Sequence, residues 1–357
     1  MSGERERTQT LSKSSDGSHD DQASRLRALM RESVPEPDGQ EPPPETPSTP
    51  VRERVRAEQN PRTRPRIVTI ASGKGGVGKT SLSVGLAAAM AQRGGRIALL
   101  DGDLGLANAD VLCGVNASVH IGHALDHGRS LADIAVRAPG GFSLIPGGSG
   151  VARLASLTDE QRERLIMGIA DLEGAADLTL IDCGAGVGRG VLEFVHAADL
   201  ALVVTTPEPT SIADAYALIK LLVTREGANA QRRFALIVNN ARDEREARSV
   251  HQRIEGVTRR FLDARVPFAG WVPTDKAVTQ AVRERSPFVI GHPRSPASRG
   301  VGRLAGYVGD RFGLRSAHDQ RERRGLVRAL RRVTGMGATN SPGLTESRSS
   351  ASRDPVR

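Results

Sequence analysis

The sequence is short of cysteine, of lysine and of long apolar runs. Its two cysteines, Cys113 and Cys183, form no C-x-x-C pair. That excludes a disulfide framework, a structural zinc and an iron–sulfur site, and indicates a reducing compartment. No stretch approaches the roughly 18–20 apolar residues of a membrane span. The opening segment, MSGERERTQTLSKSSDGSHDD, lacks the apolar run of a secretory signal. The expectation is a cytoplasmic protein that touches the inner face of the cell membrane at most peripherally. Of 50 cationic side chains only Lys13, Lys74, Lys79, Lys220 and Lys276 are lysine. Two of these five fall in one short glycine loop, where a compact ammonium is needed rather than a planar guanidinium. The net charge of +9 permits nucleic acid or anionic lipid as a partner and chooses neither.

Hydrophobic residues make up only 38% of the chain, so part of its length lies outside a packed core. Residues 1–20 are polar and read as a disordered tail. Over residues 21–33, Ala23, Leu26, Leu29 and Met30 recur at helical spacing behind a capping Asp20 or Asp21. On pattern alone this is a transient helix in a tail, since helices so short are marginal in isolation. Residues 34–65 are proline-rich and charged, a semi-extended linker. From residue 66 to about 315, short apolar runs alternate with helical patterns. RIVTIAS, RIALLDGD, FSLIPGG, LTLIDCGAG, LALVVTTPEP, FALIVNNA and VPFAGWVPTD are the expected strands. Apolar strands buried on both faces predict an α/β domain with a doubly wound, mostly parallel sheet. Residues 321–337 form a separate amphipathic pattern. Residues 338–357 are rich in Ser, Arg and Pro and read as a second disordered tail.

The stretch ASGKGGVGKT carries the chemistry. Gly73, Gly78, Lys79 and Thr80 fit G-x-x-x-x-G-K-[ST], a P-loop between a strand and a helix. Backbone N–H groups from Gly73 through Ser81, including Gly75, Gly76 and Val77, can cradle a triphosphate. Lys79 would reach the β and γ phosphates, and Thr80 would ligate Mg²⁺. Lys74 is extra. At the loop apex it is either a solvated lysine or a cation for a second subunit's site, as an arginine finger is in trans. Asp101, Asp103 and Asp182 fall at strand ends. Because alternate strand residues diverge, only one of Asp101 and Asp103 can face the phosphates directly. Asp182, behind an apolar run, suits holding Mg²⁺ through water.

The loop K-G-G-x-G-K-T resembles the deviant Walker A loop of the MinD/ParA (SIMIBI-class) P-loop ATPases. The resemblance implies ATP and Mg²⁺ as cofactors and an ATP-sandwiched homodimer whose interface Lys74 crosses. It also implies that Asp103 orients the attacking water and that Asp101 helps around the magnesium. Asn108 would touch the nucleotide across the dimer. Asn239, or its neighbour Asn240, would read adenine, with Pro273 and Asp275 flanking the base. Iron–sulfur branches are excluded by the cysteines. A tyrosine-kinase branch is excluded because the only tyrosines are Tyr216 and Tyr307. Septum placement, DNA partition and flagellar number or placement (FlhG, also called FleN or YlxH) remain. DLGLANAD and DCGAG are similar to the flagellar branch, with Gly102 where alanine is usual and Cys183 for threonine.

DQASRLR matches that branch's D-Q-A-x-x-L-R activator motif through Asp21, Gln22, Ala23, Leu26 and Arg27. This implies docking on the flagellar GTPase FlhF, with Gln22 entering its site, although here a longer tail precedes the motif and a long linker follows. At the other end, Leu326, Leu330 and Val333 line one side of a helix with Val327 beside them, opposite Arg324, Arg328, Arg331 and Arg332. A basic amphipathic helix suits an anionic membrane surface; the alternative is a solvated helix packed on the domain. The resemblance implies membrane targeting, and a basal-body protein or transcriptional regulator as a further partner. Two other readings stand beside this one: a DNA-partition or septum-placement ATPase, and a nucleotide-dependent scaffold with negligible turnover.

Overall fold

The computed structural model describes residues 66–103, 107–148, 157–172, 175–227 and 233–314. The expected helices at 21–33 and 321–337, the linker and both tails lie outside these residues. The activator motif and the membrane-facing residues therefore have no structural account below.

The expected strands form at Ile67–Ser72 (β1), Ile97–Gly102 (β2), Ser143–Ile145 (β4), Leu178–Ala185 (β5), Leu200–Thr205 (β6), Phe234–Ala241 (β7) and Phe268–Pro273 (β8). A two-residue strand at Val136–Arg137 (β3), which apolar patterning did not reveal, runs antiparallel to β4. The strand order is β3-β4-β2-β5-β1-β6-β7-β8, and the other pairings are parallel. Burial on both faces explains the continuous apolar strands. In β2, Ala98 and Leu100 enter one core while Ile97 and Leu99 enter the other. In β6 the same alternation sends Ala201 and Val203 one way and Leu200, Leu202 and Val204 the other.

One face is covered by Lys79–Gln92 (α1), Ala109–Leu112 (α2), Lys276–Arg283 (α8), Phe288–Gly291 (α9) and Pro296–Phe312 (α10). The opposite face is covered by Ile121–His127 (α3), Asp159–Asp171 (α4), Arg189–Ala197 (α5), Pro209–Glu226 (α6) and Glu244–Leu262 (α7). Local chemistry starts these helices where they start. Thr158 and Gln161 form a reciprocal capping box on α4, and Pro209 opens α6. The sequence of α1, KTSLSVGLAAAMAQ, is apolar or small nearly all round, and it is buried nearly all round.

Strand β1 lies centrally, between β5 and β6. The chain leaves β1 toward β2 and later passes from β5 across β1 to β6. That reversal opens a crevice at the carboxyl ends of the strands, where ligands bind in open α/β sheets. The glycine loop emerges there.

Candidate active site

Residues 73–78 turn from β1 into α1 with the backbone held on three sides. Ser72 Oγ donates to the Lys74 carbonyl at 2.6 Å. A Cβ at Gly73 would lie 2.3 Å from the Asp214 carbonyl oxygen, so the backbone of α6 presses against the loop and only glycine fits. Gly78 caps α1 at φ 86°, a left-handed conformation that side chains disfavour. Beneath it, Asn239 Nδ2 donates to the Val77 carbonyl at 2.7 Å. Gly75 and Gly76 are exposed at the rim and Val77 is buried, so the cradle opens outward as the motif requires.

Lys79 opens α1 and is only 8% exposed. Burial lowers its ammonium pKa, and the carboxylates of Asp182 and Asp103 oppose that shift. Asp182, on β5, is 1% exposed. Its Oδ1 accepts from Ser83 Oγ at 2.9 Å, and Thr80 also hydrogen-bonds to it. Burial pushes the Asp182 carboxyl above the usual range, and its Oδ2 is buried without a hydrogen-bond partner. An orphaned buried carboxylate oxygen beside a threonine hydroxyl at a P-loop fits a hard divalent cation with its water shell. Thr80 and Asp182 are the residues that would hold Mg²⁺, which when bound neutralises charge on the β and γ phosphates. Ser83 escaped the sequence reading; its position one turn after Lys79 was the available signal.

Asp103 is partly buried beyond β2, and its carboxylate faces the end of β5, where a Cβ at Gly184 would lie 3.5 Å from Oδ1. Its carboxylate is near enough to Lys79 and Asp182 to push the pKa of each upward. Asp101 behaves otherwise. It is 1% exposed and accepts hydrogen bonds from the backbone N–H of Asp103, Asn108 and Ala109. Asn108 caps α2 from an exposed position, and its side chain makes no capping bond.

Lys74 is not solvated freely. Its Nζ donates to Glu208 Oε2 at 2.7 Å and to Thr210 Oγ1 at 2.9 Å, across the loop that enters α6. Neither partner was identifiable from sequence, because the contact joins residues far apart in the chain. A cavity of about 410 Å³ lies alongside, lined by residues that include Thr206, Glu208, Asn240, Arg242 and Glu246.

The residues expected around the base fall in different surroundings. Asn239 turns inward, 6% exposed, and braces the P-loop, whereas Asn240 takes φ 56° and lines the cavity. A one-residue step at a strand end reverses the side chain, so the two asparagines face different surroundings. Pro273 pairs in register with Ala241. The Asp275 carboxylate accepts from the N–H of Ala277 at 2.9 Å and of Ala297 at 3.0 Å, capping α8 and α10 together. Its pKa is lowered: those backbone donors outweigh the opposing effect of burial, which is the largest single influence. Asp275 is thus built into the scaffold that shapes this end of the site.

A buried lysine, a hydroxyl–carboxylate pair and a ring of loop N–H groups at a helix N-terminus make a triphosphate site. Residues 68–288 match the family described as the CobQ/CobB/MinD/ParA nucleotide binding domain. The chain is 40% identical over 233 residues to the antiactivator FleN of Pseudomonas aeruginosa, covering 65% of this chain and 82% of that protein. It is 31% identical over 244 residues to the flagellum site-determining protein YlxH of Helicobacter pylori, covering 68% of this chain and 81% of that protein. The fold also matches septum site-determining MinD of Pyrococcus horikoshii, solved with Mg-ADP, with a TM-score of 0.57 and 25% identity over 71% of this chain and 99% of that one. The chain therefore belongs to the MinD/ParA family, as a P-loop ATPase that works on ATP with Mg²⁺.

Proposed function

We propose that this ATPase is a dimerising switch that governs flagellar number or placement, binding the membrane as an ATP dimer and leaving it as a monomer. The observation that carries this reading is the division of labour between two loop lysines. Lys79 is buried beneath the loop, where it meets its own subunit's phosphates. Lys74 sits outside, held by Glu208 and Thr210, with its side chain 36% exposed. That contact is a solvent-exposed pair worth about 0–1 kcal/mol, so a second subunit's triphosphate can outbid it. Lys74 then stabilises phosphoryl transfer in trans, while Asp103 orients the water. Similarity to FleN and YlxH supports the flagellar assignment.

The membrane step depends on residues 321–337. Each arginine near an anionic surface contributes about 1 kcal/mol, so one copy binds weakly and reversibly. A dimer presents two, and avidity can raise binding roughly 10²-fold. Sedimentation with anionic liposomes should depend on ATP and on low salt, and Leu330→Glu should remove it while nucleotide affinity is unchanged. Equal pelleting in ATP and ADP would refute the switch. ATP-dependent pelleting with DNA in place of liposomes would reassign the protein to partition.

The N-terminal motif has a separate readout. A peptide spanning residues 18–34 should stimulate the GTPase of FlhF, and Gln22→Ala should abolish the stimulation. If deleting residues 1–34 leaves stimulation intact, the activator role is wrong.

A further inference from the structure

The carboxylate of Asp101 carries a full set of obligations that none of the roles above explains. It lies at the end of β2, 1% exposed. Its Oδ2 accepts from Asn108 N and Ala109 N, each at 2.9 Å, and its Oδ1 accepts from Asp103 N at 3.2 Å. A carboxylate offers about four lone-pair sites, so backbone donors occupy most of them. Topology adds a second constraint. Asp101 is in register with Asp182 on β5, and β5 stands between β2 and β1. Strands are about 4.8 Å apart, so Asp101 lies roughly 10 Å across the sheet from the strand that bears the P-loop. Asp182 is one strand nearer and already has Thr80 and Ser83 as partners.

We propose that Asp101 is a positioning residue, not a magnesium ligand. It ties both ends of the segment from Asp103 to Ala109 to one buried point. On the roles proposed above, Asp103 and Asn108 act on opposite nucleotides of the dimer, so a single carboxylate sets water positioning in one site and the trans contact in the other. Backbone N–H donors suit this task because they move with the chain itself, whereas a side-chain donor could keep its bond while the backbone drifted.

The test compares Asp101→Ala, the closer Asp101→Asn and Asp103→Ala in the full-length protein. Amide hydrogen exchange in nucleotide-free protein should quicken about tenfold or more at Asp103, Asn108 and Ala109 in Asp101→Ala, which loses both acceptor oxygens, and at Asp103 or at the Asn108–Ala109 pair in Asp101→Asn, whose amide keeps one. Asp103→Ala should leave exchange at Asn108 and Ala109 unchanged. The turnover number should fall about 10²-fold in Asp101→Ala, the scale of a misplaced reacting group. The Mg²⁺ concentration that half-saturates binding of a fluorescent ATP analogue should stay within about twofold of wild type. A rise of about tenfold or more in that concentration, with exchange unchanged, would make Asp101 a metal-site residue and overturn the proposal. So would native exchange in Asp101→Asn, which folds closest to the parent. Full turnover in Asp103→Ala would instead refute the water-orienting role and leave the anchoring result to stand on exchange alone.

Discussion

Lys74→Ala should bind ATP about as well as the parent protein and hydrolyse it about 10³-fold more slowly or worse, the effect of losing a trans cation from phosphoryl transfer. The same variant should fail to dimerise with ATP. Lys79→Ala should do something different and lose about 10²-fold or more in ATP affinity. Removing one partner from a buried charge cluster costs about 2–5 kcal/mol, and Lys79, which would reach the phosphates, lies near the carboxylates of Asp182 and Asp103. Folding is not the confounder for Lys74, because its own-chain contact to Glu208 is exposed. Equilibrium binding of a fluorescent ATP analogue, phosphate release and sedimentation velocity separate the two outcomes. Normal turnover in Lys74→Ala would end the trans-lysine mechanism.

Asp103→Ala should bind ATP, dimerise and remain dimeric, with turnover reduced about 10²- to 10⁴-fold, the range for losing a group that positions or deprotonates a nucleophile. The carboxylate lies against Gly184 at the end of β5 and close enough to Lys79 to influence its protonation. That position suits the proposed steering of an attacking water. Because the proposed interface runs through Lys74 and Asn108, deleting Asp103 should spare assembly. Such a variant should also stay on anionic liposomes in ATP after the parent has been released. An Asp103→Ala protein that is monomeric in saturating ATP would assign this residue to the interface instead.

Much of this was legible in one dimension because the relevant interactions are local. The P-loop is a contiguous run whose glycines, lysine and threonine act through their own backbone and the adjoining helix. The apolar strands announced themselves through burial on both faces, and β2 and β6 show the alternation that such burial demands. Strand β3 did not, since two residues carry no period and its pairing with β4 is set by a hairpin.

The limits appear at particular side chains. Of two aspartates spaced by one residue, the resemblance assigns Asp101 to the magnesium and Asp103 to the attacking water. Only the fold gives the first to three backbone amides and turns the second toward β5. Asn239 and Asn240 are adjacent in sequence, yet one braces Val77 and the other lines a cavity. Asp275 follows a strand like a ligand-binding residue and proves to cap two helices, one of them a distant segment through Ala297. The chain alone determined the nucleotide engine, its parallel sheet and the presence of a second lysine, because each is encoded by residue type at short spacing. The tertiary structure decided which carboxylate serves the backbone, and what holds Lys74. The partners of Lys74 lie 134 and 136 residues along the chain, and those of Asp101 are the backbone amides of Asp103, Asn108 and Ala109, so no pattern of residue types records either.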